Sequence, residues 1–400
     1  MKDGRAAEGA GRAGAEASAA AGTRAARNEV VQVQTLDGRV EEIRDRAAFV
    51  ALEREWNALV AESDDQIFYR HEFLRVWIDN FAPRAQLRAL VIRGRGGRLE
   101  AALPLLARPA RMYGVPVREL SSAANPHSCR FDLLARDPPA AASAFLAHLA
   151  QDRSWDVLRI TDVPEGGKAR ALLASAEARG FLTGTWESLR SPYIPLPATR
   201  AELLARLDGK FKANLRRRRR KLEEKGRVEV KRIEGGDALE RALEEGFALE
   251  RSGWKGKGGT AIVQDEATRG FYSELARIAA ELGALALYSM RVDGRPVAFH
   301  YALEYGGRYL LLKPAYDESI KECSPGQLLV EEVLAASVER RLAEFDFLGP
   351  DMVWKRDWTD RLRPHHWVFI FRDGLLGRAL REAKFRWIPA IKEVVNRCGP

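Results

Sequence analysis

The chain is poor in the residue types that build disulfide scaffolds and metal sites. Three of its 400 residues are cysteine and six are histidine, and Cys129, Cys323 and Cys398 form no C-x-x-C pair. An odd number of distant cysteines argues against a disulfide framework and favours a reducing compartment. The adjacent pair His365-His366 is a poor metal signal, because neighbouring side chains on a regular element face different ways. We therefore expect no metal.

Other absences exclude whole classes of protein. No stretch approaches the roughly 18 apolar residues of a membrane span. The motifs H-E-x-x-H, G-x-S-x-G and the P-loop are missing, so metalloprotease, serine hydrolase and P-loop functions lack their usual signals. Residues 1–27 hold 11 alanines and five glycines without the apolar run of a secretory signal. This start is predicted to be a disordered tail, and the default location is the cytoplasm.

The positive charge of the chain is concentrated in one segment. Lysine and arginine number 65 against 56 acidic residues, which gives a formal charge of +9. Residues 200–232 hold 14 basic and five acidic residues, so this segment carries the whole excess. A basic segment in an otherwise neutral chain points to a local anionic partner rather than to a general coat for nucleic acid.

Hydrophobic periodicity predicts a mixed α/β fold in which one order of elements occurs twice. Each copy reads β-α-α-β-β-β-α-β-α-β. Phe73 lies 18 residues before Val91, and Phe271 lies 18 before Ser289, each running from a helix into a strand. An unrelated mixed α/β protein with similar helix lengths is the alternative.

These patterns divide the chain into five segments. Residues 1–29 form the tail, and 30–197 form the first copy. Residues 198–226 are a basic helical connector, 227–373 form the second copy, and 374–400 are predicted as a C-terminal helical tail.

Five short phrases carry a resemblance to a known family. They are FKANLRR at 211–217, GWKG at 253–256, KPAYD at 313–317, SPG at 324–326 and FDFLG at 345–349. With the repeated element order, they resemble tandem units of the GNAT acyltransferase fold, as in the FemAB-like transferases. Within that group the chain is most similar to the CelD-like acetyltransferases linked with bacterial exopolysaccharide synthesis. The resemblance covers roughly residues 45–372.

The resemblance implies two tandem GNAT-like domains, each a central mixed sheet flanked by helices, and an acyl-CoA donor whose pyrophosphate lies at a helix N-terminus. The donor residues it implies are Lys313, Ser324, Pro325, Gly326, Gln327 and Leu328. The family's usual phosphate loop, Gln/Arg-x-x-Gly-x-Gly/Ala, is missing here. Proline nevertheless suits a helix start, serine can cap it, and free N–H groups can bind an anion. A plain capped helix start is the alternative, and aminoacyl-tRNA, the donor of FemAB-like proteins, stays open.

Acyl transfer to an amine or hydroxyl requires a base and donors for the thioester oxygen. The candidate bases are Glu250, Asp265, His300, Asp317 and Asp346. Tyr316 and Asp317 end the central strand, where ligands of open α/β sheets bind, and Tyr316 can protonate a leaving thiolate. The alternatives are a turn-forming role for Asp317 and a hydrogen-bonded structural role for His300 and Asp346.

Five further residues are candidates for binding substrate. Laid on a helix, Phe211, Leu215 and Leu222 share one face, and Arg218 and Arg219 interrupt it. These arginines must meet a carboxylate of the protein or an anionic ligand, unless the helix is simply solvated. The other candidates are Trp254 and Lys255 in a glycine-rich loop, and Lys355 on the acceptor side. An exposed connector is the alternative for the loop.

Three functions remain open. The first is acyl transfer from acyl-CoA to an amine or hydroxyl of a sugar, nucleotide-sugar or exopolysaccharide precursor. The second is aminoacyl transfer from tRNA to a cell-envelope precursor. The third is binding of an anionic saccharide without catalysis.

Overall fold

Residues 39–252, 262 and 265–391 are described by the computed structural model. They form a mixed α/β fold around a sheet of 13 strands with helices on both faces, which confirms the predicted fold class. The predicted tail, residues 1–29, lies outside the described residues.

The first half of the chain has the predicted element order, except for one short extra strand and a first helix that is divided into two. Its elements are β1 (Val40–Ile43), α1 (Arg46–Val50), α2 (Glu53–Ser63), α3 (His71–Phe81), β2 (Gln86–Arg93), β3 (Leu99–Met112), β4 (Val115–Ser122), β5 (Leu134–Ala135), α4 (Pro138–Gln151), β6 (Val157–Pro164), α5 (Ala171–Glu177) and β7 (Leu182–Pro195).

Two helices follow, and the second half then repeats the order. Its elements are α6 (Arg200–Arg206), α7 (Gly209–Glu223), β8 (Val228–Ile233), α8 (Leu239–Ser252), α9 (Glu266–Glu281), β9 (Leu287–Val292), β10 (Arg295–Tyr305), β11 (Arg308–Tyr316), α10 (Pro325–Glu339), β12 (Glu344–Asp346), α11 (Val353–Arg356), β13 (Leu362–Phe371) and α12 (Leu375–Glu382).

The two halves share one sheet because their last strands interleave. The strand order is β1-β2-β3-β4-β6-β13-β7-β12-β11-β10-β9-β8. β13, from the second half, lies between β6 and β7 of the first. β7 pairs with β13 along most of its length and with β12 at its end. Each half therefore depends on strands of the other half to complete its part of the sheet.

Equivalent residues of the repeat meet where the halves join. Phe73 of α3 and Phe271 of α9, paired by the sequence repeat, pack edge to face with ring centroids 5.7 Å apart. Phe81 lies 5.0 Å from Phe271. These rings belong to one core that draws on α2 and α3 of the first half and on α8 and α9 of the second. A separate core on the other sheet face packs α6, α7 and α10 against β9–β12.

Candidate functional site

A gap opens in the sheet of the second half. The parallel strands β11 and β12 pair over only three residues, from Arg308 with Glu344 to Leu310 with Asp346. β11 continues to Tyr316, while the chain after β12 turns towards β7, where Phe347 N–H donates to the Pro192 carbonyl at 3.1 Å. Among the described residues, no backbone hydrogen bond joins 311–316 to 347–352. A length of strand edge is thus left open.

A β-bulge lies at this open edge. Tyr301 of β10 pairs with Lys313, but the next residue, Ala302, pairs with Leu311. Leu312 is therefore an extra residue outside the ladder. Such a bulge leaves backbone polar groups without a strand partner and re-aims the side chains beside it. The bulge thus interrupts the regular ladder of β11 beside the gap.

The first turn of α10 lies beside the end of β11. A methyl group placed on Gly326 would come 3.3 Å from Cδ1 of Tyr316, so the helix start packs directly against this ring. Ser324 has left-handed backbone angles, and its side chain caps no N–H group, so the predicted capping role is wrong. Its carbonyl instead accepts from the N–H groups of Gln327 at 3.0 Å and Leu328 at 3.2 Å. Pro325 has no N–H to offer. The N–H of Gly326 has no partner among the described residues.

Aromatic side chains and Gln327 frame the helix start. The amide of Gln327 accepts from the indole N–H of Trp358 and donates to the Trp354 carbonyl at 3.3 Å. Trp354 in turn packs on Phe347 with ring centroids 5.5 Å apart. Gln327 therefore ties the segment after β12 to α10 and fixes the width of the gap. The ring of Tyr316 is partly exposed, and its hydroxyl has no hydrogen-bond partner among the described residues.

The equivalent place in the first half is closed. β4 and β6 also pair in parallel over three residues before they separate, but the chain's own loop fills that gap, where Phe131 N–H donates to the Asp162 carbonyl at 3.2 Å. Helix α4 begins with two prolines, and the Asp137 carboxylate accepts the N–H of Ala140 at 3.0 Å. Ala141 N–H is bonded to the Asp137 carbonyl. This helix start has no free N–H and carries a negative charge, so it repels an anion.

Most of the predicted bases lie away from the gap. His300 is buried and hydrogen-bonded to the Tyr309 hydroxyl at 3.2 Å; burial lowers its pKa to about 3, so it is neutral and structural. Asp317 forms a turn, because it accepts from Ser319 N–H at 2.9 Å and pairs with Arg295.

Two other acids serve the ends of helices. The buried carboxylate of Glu250, near the end of α8, accepts from the N–H of Ile262 at 2.9 Å. Asp265 caps the start of α9 by accepting from Thr268 N–H.

Asp346 holds the two halves together. Its side chain is fully buried and contacts two guanidinium groups, those of Arg130 from the first half and Arg363 of β13, the latter at 2.6 Å. It also accepts from Leu348 N–H at 2.8 Å. A carboxylate so enclosed cannot reach a substrate. These contacts favour the structural alternative for Asp346 over the predicted catalytic role.

The two arginines that interrupt the apolar face of α7, Arg218 and Arg219, have different surroundings. Phe211, Leu215 and Leu222 are buried as the helical pattern predicted. Arg219 meets carboxylates of the protein, Glu331 and Glu332 of α10, at 3.1 and 2.6 Å. It therefore clamps α7 to α10 rather than binding substrate.

Arg218 is partly exposed on α7. Burial raises the pKa of the Asp357 carboxyl, and the charge of Arg218 opposes that rise. Asp357 in turn is 3.4 Å from the side-chain amide of Gln327. Arg218 forms no ion pair within the described ranges, so it is available to an anion near the α10 start.

Of the three other predicted binding residues, the structure describes only Lys355, and its side chain points away from a ligand role. Lys355 is buried and donates to the carbonyls of Leu348 at 2.6 Å and Pro350 at 2.8 Å, which holds the turn after β12. Trp254 and Lys255 lie outside the described residues.

On the opposite side of the gap, Lys313, predicted from the sequence as a donor residue, lies beside two residues that sequence reasoning missed, Tyr272 and His127. Lys313, beside the bulge, has its ammonium group 5.3 Å from the centroid of the Tyr272 ring. The Tyr272 hydroxyl is 3.1 Å from Nδ1 of His127, which comes from the loop after β4 in the first half. His127 is partly exposed. The three residues are more than 140 positions apart at the extremes, so no local pattern in the sequence marks them.

Comparison with known proteins agrees with this geometry. Residues 209–356 match the family described as acetyltransferase (GNAT) domain. No curated protein matches the chain. The crystal structure of FemX is similar with a TM-score of 0.53 and 13% identity, covering 82% of this chain and 96% of that one. A C-terminal domain of a putative lysylphosphatidylglycerol synthetase from Agrobacterium fabrum is similar with a TM-score of 0.51 and 11% identity, covering 84% and 96%.

The fold and the family match together define the class of protein: residues 209–356 match a GNAT acetyltransferase domain, and the chain shares the fold of these solved structures. The matched domain coincides with α7 and the second half of the sheet, which contains the open gap.

The described residues contain neither a membrane-spanning helix nor a group of side chains that could hold a metal ion. No helix in the described ranges is long and apolar enough to cross a bilayer. No three or more histidine, cysteine, aspartate or glutamate side chains in the same ranges are grouped to hold a metal ion.

We expect Asp346→Asn to destabilise the protein by about 3–5 kcal/mol, because the buried Arg130 loses its counter-charge, while Arg363 keeps only Glu344 as a partner. Urea unfolding measures the change. Asp317→Asn is the control, since its partner Arg295 is well exposed and such pairs contribute at most about 1 kcal/mol. An Asp346→Asn chain as stable as the wild type would contradict the role of this carboxylate.

Proposed function

We propose that the second half of the chain holds an acyl-CoA in the gap between β11 and β12, and that the acyl group passes to an amine or hydroxyl of a sugar or nucleotide-sugar acceptor. The observation that carries this proposal is the contrast between the two helix starts. The first turn of α10 has a free N–H and contains no acidic residue, whereas the start of α4 is capped by the Asp137 carboxylate and has no free N–H.

The charges around α10 favour a diphosphate there. The positive end of the helix dipole and the Gly326 N–H both attract an anion. Because glycine has no side chain, the backbone can approach a phosphate closely. Arg218, on the neighbouring helix, adds a guanidinium that suits phosphate oxygens. Leu328, one of the predicted donor residues, is fully buried, so it supports this turn from beneath.

The gap connects the two faces of the sheet and so separates donor from acceptor. Tyr316 and α10 lie on one face, and Lys313, Tyr272 and His127 lie on the other. A donor that enters beside α10 presents its thioester at the bulge. The acceptor then approaches from the face where the two halves meet.

The residues present can carry the proton transfers of direct acyl transfer. The acceptor nitrogen or oxygen attacks the thioester carbon, and His127 takes its proton. A backbone N–H freed by the bulge at Leu312 stabilises the oxyanion. When the carbon–sulfur bond breaks, the thiolate takes the proton of the Tyr316 hydroxyl. No covalent enzyme intermediate is needed.

Ser324→Asp tests the donor site directly. A carboxylate at the α10 start opposes the diphosphate, so we expect the Kd for acetyl-CoA to rise at least about tenfold, while the helix is not weakened. Calorimetric titration measures the affinity. The matched control is Asp137→Ser, which removes the carboxylate from the α4 start and should leave the affinity unchanged. Equal affinity in Ser324→Asp and wild type would refute the site.

Tyr316→Phe tests the leaving-group step. Loss of the hydroxyl should lower kcat by about 10²-fold, as for other general acids, with little change in the Kd for acetyl-CoA. Steady-state kinetics over a range of pH checks this. Tyr305→Phe is the control, because the Tyr305 hydroxyl is bonded to Asp65 and lies outside the gap. An unchanged kcat in Tyr316→Phe assigns the proton to another group.

A second donor, aminoacyl-tRNA, is favoured by one observation. Helix α7 presents a row of cations that form no ion pair with a carboxylate of the described residues. They are Lys212, Arg216, Arg217, Arg220 and Lys221. Such a row fits the phosphate backbone of a nucleic acid, and the affinity for tRNA would then depend steeply on salt.

Charge reversal separates the two donors. If tRNA binds along α7, the variant Arg216→Glu with Arg217→Glu and Arg220→Glu should lower the slope of log affinity against log salt by about 2 to 3. The control reverses three exposed, unpaired arginines of the first half, Arg54, Arg84 and Arg153. If the α7 variant keeps its affinity for acetyl-CoA and binds tRNA as well as the control variant does, tRNA is not the donor.

A further inference from the structure

The C-terminal helix has one face anchored on the sheet. After α12 the helix continues through a π-helical turn, Ala383–Trp387, to residue 391. Leu380 belongs to a small core with Val117, Phe369 and neighbouring residues. The Phe385 ring lies directly against Gly184 of β7, where a methyl group would clash. The segment is therefore fixed in orientation on the sheet.

The opposite face carries large apolar side chains in water. Leu375 is 91% exposed, Trp387 50% and Ile391 60%. The π-turn inserts one extra residue, so Leu375 and Trp387 are eleven α-helical steps apart, which returns them to within about 20° of each other. Ile391 lies one turn beyond Trp387. The three side chains thus form one stripe that no described residue covers, and this stripe is called the C-terminal apolar stripe below.

Cations border this stripe. Arg378 and Arg386 are exposed on the same helix. Lys384 lays its stem across aromatic rings, with its ammonium group 5.0 Å from the centroid of Trp186 and 4.5 Å from that of Phe369. Trp186, 41% exposed, extends the apolar surface onto β7.

The charge balance of the segment is positive. Four cations, Arg378, Arg381, Lys384 and Arg386, accompany two acids, Asp373 and Glu382, which are themselves paired with arginines.

We propose that the C-terminal apolar stripe docks on the surface of an anionic lipid bilayer. Exposed leucine, isoleucine and tryptophan bordered by arginine and lysine are the composition of helices that lie in a membrane interface. Tryptophan prefers the headgroup layer, and long basic side chains reach from an apolar surface to anionic headgroups. A second copy of the chain would bring two positive faces together, so charge favours lipid as the occupant. This inference does not depend on the identity of the donor.

Co-sedimentation with vesicles tests the proposal on the full chain. We compare vesicles of phosphatidylcholine with vesicles that contain about 30% phosphatidylglycerol, which gives them a negative surface potential. We expect binding to the anionic vesicles that weakens with salt. The variant Leu375→Asn with Trp387→Asn should lose at least about tenfold in vesicle affinity, and Arg378→Gln with Arg386→Gln should lose affinity for anionic vesicles.

Val353→Asn is the matched control, because Val353 is 83% exposed but lies on α11, outside the stripe. It should bind vesicles as the wild type does, and circular dichroism confirms that all variants are folded. Absence of wild-type binding, equal binding to both vesicle types, or unchanged binding by the Leu375/Trp387 variant would overturn the proposal. The proposal would also be overturned if light scattering showed a wild-type dimer and a monomeric Leu375/Trp387 variant, since the stripe would then be a contact between copies.

Discussion

The early separation of β11 from β12 is the constraint on which the site depends. Because these parallel strands pair over only three residues, the edge of β11 up to Tyr316 remains open and its bulge at Leu312 is accessible. The strands are held apart by contacts on both sides. Gln327 binds the segment after β12 to the start of α10, and Asp346, at the apex of the gap, is locked by arginines. The gap is therefore part of the folded architecture rather than a defect in packing.

The two halves share an element order but differ in the chemistry at the equivalent position. In the first half the loop through Phe131 closes the gap, and Asp137 neutralises the helix start. In the second half the gap stays open, and the side chain of the N-cap residue Ser324 accepts no hydrogen bond from the helix. The two halves thus share an element order, but only the second has an open gap beside its helix start. The first half contributes to the joint instead, where His127 meets Tyr272 across the boundary.

Local patterns predicted much of the fold, because helix and strand periodicity depend on near neighbours. The repeated order of elements and the buried face of α7 follow from spacing along the chain. The insertion of β13 beside β6 could not be predicted, since strand order in a sheet is a long-range property. The same limit applies to the site: whether Arg219 meets carboxylates of α10 or a ligand depends on which helix packs beside it.

The most direct test of the central claim is hydrogen exchange of backbone amides with and without acetyl-CoA. The account predicts that the ligand slows exchange at Gly326 and along residues 311–316, and leaves the first turn of α4 unchanged. Protection at both helix starts, or protection at neither with saturating ligand, would contradict the claim that only the second half binds the donor.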